Sequence, residues 1–170
     1  MGLLLVFTGD GKGKTTAALG QVFRALGHGW KCCVIQFLKS GKPTGESLFA
    51  AREELLDFRT LGLGFILPGQ DREPHRQAAL RAWKDASGAL ASGKYRLVVL
   101  DELTYLCSFG FLDPAELAQT LRNRPGDVHV VVTGRKAPRE LLEAADLVTE
   151  MNAVKHPLDA GIQAQEGIEY

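Results

Sequence analysis

The stretch Thr8-Gly9-Asp10-Gly11-Lys12-Gly13-Lys14-Thr15-Thr16 decides the fold. It lies between an apolar run, Leu3-Leu4-Leu5-Val6-Phe7, and a helical pattern that begins near Thr15. Glycines let successive backbone N–H groups turn inward, and the following helix adds its positive N-terminal end. Lys14 supplies a charge and a threonine hydroxyl can reach Mg²⁺, so the segment reads as a cradle for a chain of phosphates. The pattern G-x-x-x-x-G-K-[ST] would place glycine at position 8, where this chain has Thr8 with a glycine one place later, making the loop a variant.

Outward from the loop, strands and helices alternate. Thr15 to about Gly27 carries apolar residues at helical spacing, and Cys32 to Leu38 is a β-branched apolar run. A short helix is expected from Glu46 to about Leu55 and a strand at Leu56–Thr60. The loop Leu61 to Gly69 is rich in glycine yet apolar, which suits either a cover for an apolar ligand or packing on its own domain. The longest helical pattern runs from Asp71 to Ala91, with Trp83 read as core.

Leu97-Val98-Val99-Leu100-Asp101-Glu102 reads as a buried strand delivering two carboxylates at its C-terminal end, where open parallel sheets bind ligands. Asp113-Pro114-Ala115-Glu116 reads as a helix start with Asp113 as cap and Glu116 able to complete a capping box. That helix runs to about Asn123. Val128 to Thr133 is a further strand, Pro138 opens a helix to about Ala145, and Leu147 to Met151 is a last strand. The tail beyond Asn152 is not low in complexity and is expected to be ordered. The pattern predicts one α/β domain over residues 1–170, a P-loop (RecA-like), mostly parallel sheet with helices on both faces.

Bulk properties narrow the function. The chain has 170 residues, with Lys+Arg and Asp+Glu at 20 each, so its summed field gives nucleic acid or an anionic membrane no long-range attraction. Cys32, Cys33 and Cys107 lack C-x-x-C spacing and are odd in number, against a disulfide framework or zinc site. No apolar run approaches the roughly 18 residues of a membrane span, and a reduced, cytoplasmic protein is expected. His28 and His75 read as surface residues and His129 as a satisfied strand histidine; no nucleophile–base pairing stands out.

The phosphate loop and a strand-end carboxylate form a minimal set for Mg²⁺–nucleoside triphosphate, with Thr15, Asp101 and Glu102 the candidates at the metal. These landmarks do not say which bond of the triphosphate breaks. A kinase or ATPase, or a nucleotide-dependent binding module without turnover, shares them.

Val6 to Ala18, Leu100-Asp101-Glu102-Leu103-Thr104-Tyr105, Thr133-Gly134-Arg135 and the tail Val154-Lys155-His156-Pro157-Leu158-Asp159-Ala160-Gly161-Ile162 through Gly167-Ile168-Glu169-Tyr170 together resemble the ATP:corrinoid adenosyltransferases of the cob(I)alamin P-loop type. The likeness covers nearly the whole chain, and the tail is its most specific part. The resemblance implies transfer of the 5′-deoxyadenosyl group of ATP to the cobalt(I) of a reduced corrinoid, with triphosphate leaving.

By matching position it implies that Gly9, Asp10, Gly11, Lys12, Gly13, Lys14, Thr15 and Thr16 hold the triphosphate, with Lys14 on the leaving charge and Thr15 with Glu102 or Asp101 on Mg²⁺. Arg24 and His156 would be further nucleotide contacts, and Phe65 would cover the lower corrin face. The segment commonly reading Gly-Phe-Thr-Trp is here Gly64-Phe65-Ile66-Leu67, with Leu67 in place of tryptophan. Relatives also imply a homodimer and a flavoprotein electron donor.

Overall fold

The computed structural model describes residues 1–41 and 43–170. Six strands, β1 (Leu4–Thr8), β2 (Cys32–Gln36), β3 (Leu56–Thr60), β4 (Leu97–Asp101), β5 (His129–Thr133) and β6 (Leu147–Glu150), form one sheet in the order β3-β2-β4-β5-β1-β6. Every pairing is parallel. Between them run α1 (Lys14–Gly27), α2 (Gly45–Ala50), α3 (Glu73–Ala91), α4 (Thr104–Ser108), α5 (Pro114–Arg122) and α6 (Arg139–Ala144), and a 3₁₀ helix spans Pro157–Ala160 in the tail.

The central strands are apolar up to their polar carboxyl ends because both faces of the sheet are covered. Side chains alternate along each strand: Val98 and Leu100 join the core under α3, α5 and α6 with Trp83, Leu117 and Leu141. Leu97 and Val99 join the core under α1 with Ala18 and Val22. Cys32 and Cys33 are buried in these layers, where burial pushes both thiols up, to about 11 and about 12. No helix among the described residues is long and apolar enough to cross a membrane.

Several elements differ from the sequence reading. The helix expected to reach Leu55 stops at Ala50, and the chain continues in turns in which the Glu53 carboxylate accepts the Leu55 N–H at 3.1 Å. Asp113 caps α5 by accepting from the N–H groups of Ala115 and Glu116, without a reciprocal bond from Glu116; the capping box is instead at α2, between Thr44 and Ser47. Pro138 precedes α6 as its cap instead of opening it. Helix α4 follows β4 directly and carries no apolar repeat long enough to read. His28 is exposed as expected, whereas His75 is half-buried beside Phe37 and Phe109.

The strand order places β5 between β1 and β4. The ends of β1, β4, β5 and β2 therefore bring Thr8, Asp101, Thr133 and Gln36 to one edge of the sheet, facing the N-terminus of α1.

Candidate active site

The loop after β1 is shaped by close backbone approach. Gly9 and Gly13 have φ of 94° and 110°, the left-handed region that glycine enters without a Cβ penalty. A Cβ on Gly11 would lie 2.7 Å from the carbonyl carbon of Asn152, and the Gly11 N–H donates to Met151 O at 2.7 Å. The chain leaving β6 thus braces the loop from behind. Helix α1 has no side-chain cap and no acidic residue in its first turn, leaving its N-terminal N–H groups and positive end to an anion.

Lys14 Nζ donates to the carbonyls of Gly9 and Gly11, at 2.7 and 2.5 Å, across its own loop. Burial, then the charge of Arg135, pulls its pKa down, against smaller opposing effects of Asp10 and Glu102. Its ammonium is partly desolvated, and a phosphate can replace those carbonyls.

Asp101 is 1 % exposed and fully engaged by neutral donors. Thr15 Oγ1 and Thr133 Oγ1 donate to its Oδ1 at 2.8 and 2.7 Å, and Gln36 Nε2 donates to Oδ2 at 3.1 Å. Gln36 is held in turn by Thr60 Oγ1, 3.3 Å from its Oε1. The network ties the ends of β2, β3, β4 and β5 to the start of α1.

Glu102 breaks the strand with φ of 63°, an uncommon conformation for a residue with a side chain. Its N–H donates to Thr133 Oγ1 at 2.9 Å, which holds the kink, and its side chain lines the cavity. Burial first, and then Asp101, raises its carboxyl to about 7, against the charges of Lys39, Lys14 and Arg135.

The turn after β5 carries Arg135. Thr104 Oγ1 donates to Arg135 O at 2.7 Å. Gly134 has φ of 140°, and a Cβ there would fall 2.0 Å from that same hydroxyl. No larger residue fits, so the start of α4 fixes where Arg135 emerges.

These groups surround a cavity of about 550 Å³ lined on one side by Gly11 through Thr16 and elsewhere by Lys39, Glu102, Tyr105, Arg135, His156 and the tail Gly167–Tyr170. Lys39 donates to Glu46 at 2.7 Å. Burial pushes Glu46 up, but bonds from Lys39, its own backbone and Thr44 prevail and hold it below the usual carboxylate range. Lys12 pairs with Glu169, which draws the tail onto the loop and lowers the Glu169 carboxyl.

Most sequence-predicted residues converge here. Lys12, Gly13, Lys14, Thr15, Thr16, Gly11, Glu102, Phe65 and His156 line the cavity. Asp101 sits beneath it, and Gly9 contributes a carbonyl. Asp10 is exposed at the loop's outer side and acts on Lys14 only through its charge.

Two candidates do not join. Arg24 lies near the far end of α1, about 15 Å from Lys14 at 1.5 Å per helical residue. There it contacts Gln21 and lines a separate hollow with Trp30 and His129. Leu67 is 60 % exposed and lies outside the cavity lining, whereas Phe65, 63 % exposed, lines it and meets Tyr105 edge-on at 6.5 Å.

Sequence reasoning missed Lys39, Tyr105 and Arg135 as site residues. Lys39 and Arg135 follow the carboxyl ends of β2 and β5, and that position was the available signal. For Tyr105 the signal is its place in the segment Leu100–Tyr105 that carries the family resemblance. Among the described residues no cluster of three His, Cys, Asp or Glu could hold a metal by itself. One hydroxyl and one carboxylate beside a phosphate cradle nevertheless suit Mg²⁺, which takes few protein ligands and completes its shell with substrate oxygens and water.

A parallel sheet with a glycine loop entering α1, and a threonine of that helix bonded to a strand-end aspartate, defines the class of P-loop NTPase-like folds. The family is more specific than the fold. The family "ATP:corrinoid adenosyltransferase BtuR/CobO/CobP" matches residues 1–170, and the chain belongs to it. It is 43 % identical to a corrinoid adenosyltransferase of Escherichia coli over 99 % of this chain and 86 % of that one. It is 46 % identical to one of Pseudomonas aeruginosa (99 % and 84 %) and 42 % identical to one of Salmonella typhimurium (99 % and 86 %).

Proposed function

We propose that the protein transfers the 5′-deoxyadenosyl group of ATP to the cobalt(I) of a reduced corrinoid, releasing triphosphate. The cobalt–carbon bond forms with the metal's electron pair, the C5′–O5′ bond breaks, and its pair leaves on the triphosphate. The reactive nucleophile belongs to the corrinoid. The protein's part is to hold C5′ in line and to stabilise the charge that collects on the departing chain.

The observation that carries this reading is the convergence, on one cavity, of the braced loop, Lys14 and Arg135 with the Thr15–Asp101 hydrogen bond. Among the described residues neither Lys14 nor Arg135 is ion-paired with a carboxylate. Both are therefore available to a polyphosphate that departs whole. Lys12 and Lys39, paired with carboxylates, can add charge by exchanging partners.

Mg²⁺ would be held by the Thr15 hydroxyl with Asp101 or Glu102, and when bound it supplies positive charge to the phosphate oxygens. Phe65, apolar and exposed at the cavity, would meet the lower face of the corrin and keep water from it. Leu67 would add to this only through movement of the loop. A cytoplasmic homodimer supplied with electrons by a flavoprotein is the setting we propose. The dimer is supported by the edge strand β6, whose Leu147 and Val148 are exposed.

Incubation with ATP, Mg²⁺ and chemically reduced corrinoid is expected to yield triphosphate and a light-sensitive alkylcobalt spectrum. Formation of ADP and phosphate would overturn the assignment in favour of a kinase or ATPase. Tight binding of both ligands without turnover would favour a binding module.

A further inference from the structure

Near its carboxyl end α1 buries only a small side chain, Ala25, against the sheet. With Leu97 and Val131, both buried, Ala25 lines a hollow of about 450 Å³ that no larger side chain fills. That volume is in the range of small-molecule sites. The phosphate loop enters α1 at the other end of the helix, and the hollow shares no lining residue with the phosphate-loop cavity.

One wall of the hollow is aromatic and already fixed. Trp30 and His129 stack with ring centres 5.3 Å apart and 21° between their planes, and Arg96 Cζ lies 4.5 Å from the Trp30 ring centre. His129 Nδ1 accepts the Leu3 N–H at 3.2 Å. In the backbone, the Arg96 N–H donates to Lys31 O and the His129 N–H to Arg96 O, both at 2.9 Å. A pre-set aromatic surface gives a ligand contact area with little ordering cost.

The charge at the hollow has one sign. Arg24 lines it, is exposed, and among the described residues makes no ion pair, only a 3.5 Å bond to Gln21 Oε1. No carboxylate is in the lining. A free guanidinium beside an apolar floor suits an anion carried on an apolar body.

We propose that this hollow is a second ligand site, taking a small planar molecule that is largely apolar and bears one carboxylate. Its ring system lies against the Trp30–His129 wall and its carboxylate meets Arg24. The site stands apart from adenosyl transfer, because nothing in it depends on what the phosphate-loop cavity binds.

2-Naphthoate is the probe and 2-naphthamide its neutral counterpart, each titrated into the full chain. Amide NMR is expected to show saturable shifts at Ala25, Trp30 and His129 and none at Lys14 or Thr15, with a dissociation constant on the order of 10⁻⁴ M for a ligand of this size. 2-Naphthamide should bind roughly tenfold more weakly, the scale of a hydrogen bond to a charged group. Arg24→Gln should bring 2-naphthoate down to the affinity of 2-naphthamide and leave 2-naphthamide unchanged, while Trp30→Leu should weaken both alike. Arg24 is exposed, so the charge comparison stands even where Trp30→Leu fails to fold.

Equal affinities for the acid and the amide, shifts centred on the phosphate loop, or no saturable shift at millimolar probe overturns the proposal. So does movement of the same amides with protein concentration alone, which would show the hollow to be covered by a second copy of the chain.

Discussion

Thr15 and Asp101 lie 86 positions apart in the chain and are joined by a 2.8 Å hydrogen bond from Oγ1 to Oδ1. It ties the first turn of α1 to the end of β4, across a sheet in which β5 separates β4 from the loop-bearing β1. Thr133 fills the interval by donating to the same carboxylate oxygen. Asp101 is thus both the keystone of the sheet edge and a carboxylate directly behind the cavity.

Asp101→Asn exchanges an acceptor-only group for one that must present an NH₂ to donors. Gln36 Nε2 keeps its acceptor only when the new amide turns its oxygen to the Oδ2 side, so Thr15 and Thr133 must both turn their hydroxyls from donating to accepting. The variant is expected to lose about 1–3 kcal/mol of stability in urea unfolding. Its ATP affinity should also lose most of its dependence on Mg²⁺ in titrations with and without the metal.

Lys14→Ala removes a charge from the leaving group and a clamp from the loop, since the ammonium bridges Gly9 and Gly11. The rate of triphosphate formation is expected to fall by roughly 10²–10³, by analogy with loss of one charge-stabilising donor. The circular dichroism spectrum should be unchanged, because the sheet and its cores do not depend on this side chain.

Glu102 sets a pH dependence with a definite sign. Its carboxyl rises from its ordinary value of 4.5 to about 7 in the folded chain, so the folded state binds the proton more tightly than the unfolded one. Its contribution to stability is complete below about 4.5 and is lost as pH rises through about 7. Glu102→Gln keeps the shape without the charge. Relative to wild type it should melt higher at pH 8 than at pH 5, the difference corresponding to about 1–3 kcal/mol; identical shifts at both values would contradict the buried-carboxyl account.

Gly134→Ala should be costly for two separable reasons. The new Cβ meets Thr104 Oγ1 at 2.0 Å, and φ of 140° disfavours any side chain. A loss of about 2–4 kcal/mol is expected. Adding Thr104→Ala should recover part of it by removing the clash while leaving the backbone strain. Calorimetry of the single and double variants measures both parts.

The sequence makes the scaffold plain because its central strands are apolar runs and most of its helices are bounded by glycine or proline. The phosphate loop and Asp101-Glu102 are legible for the same reason, each being attached to such a strand. Arg135 falls in a segment shared with the family, but its place at the cavity is not legible in sequence because it depends on Thr104, at the start of α4, meeting Gly134 in the turn after β5. Arg24 failed to join the cavity for a geometric reason: a position ten residues into a helix is carried well away from the loop, whatever its chemistry. Helix α4 leaves no period in the sequence because five residues are too few to show one.

Phe65 offers a clean separation of binding from folding. It is 63 % exposed and its ring meets only the edge of Tyr105 among the aromatic contacts, so truncation leaves little new cavity in the core. Phe65→Ala is expected to shift stability by less than about 0.5 kcal/mol, as for an ordinary surface substitution. If its apolar ring covers the corrin's lower face, the same change should raise KM for the corrinoid and leave the ATP affinity as it was. It should also restore the lower-ligand signature in the electron paramagnetic resonance spectrum of cob(II)alamin mixed with protein and ATP. A rise in KM for ATP instead would assign Phe65 to the nucleotide and move the corrin elsewhere on the cavity rim.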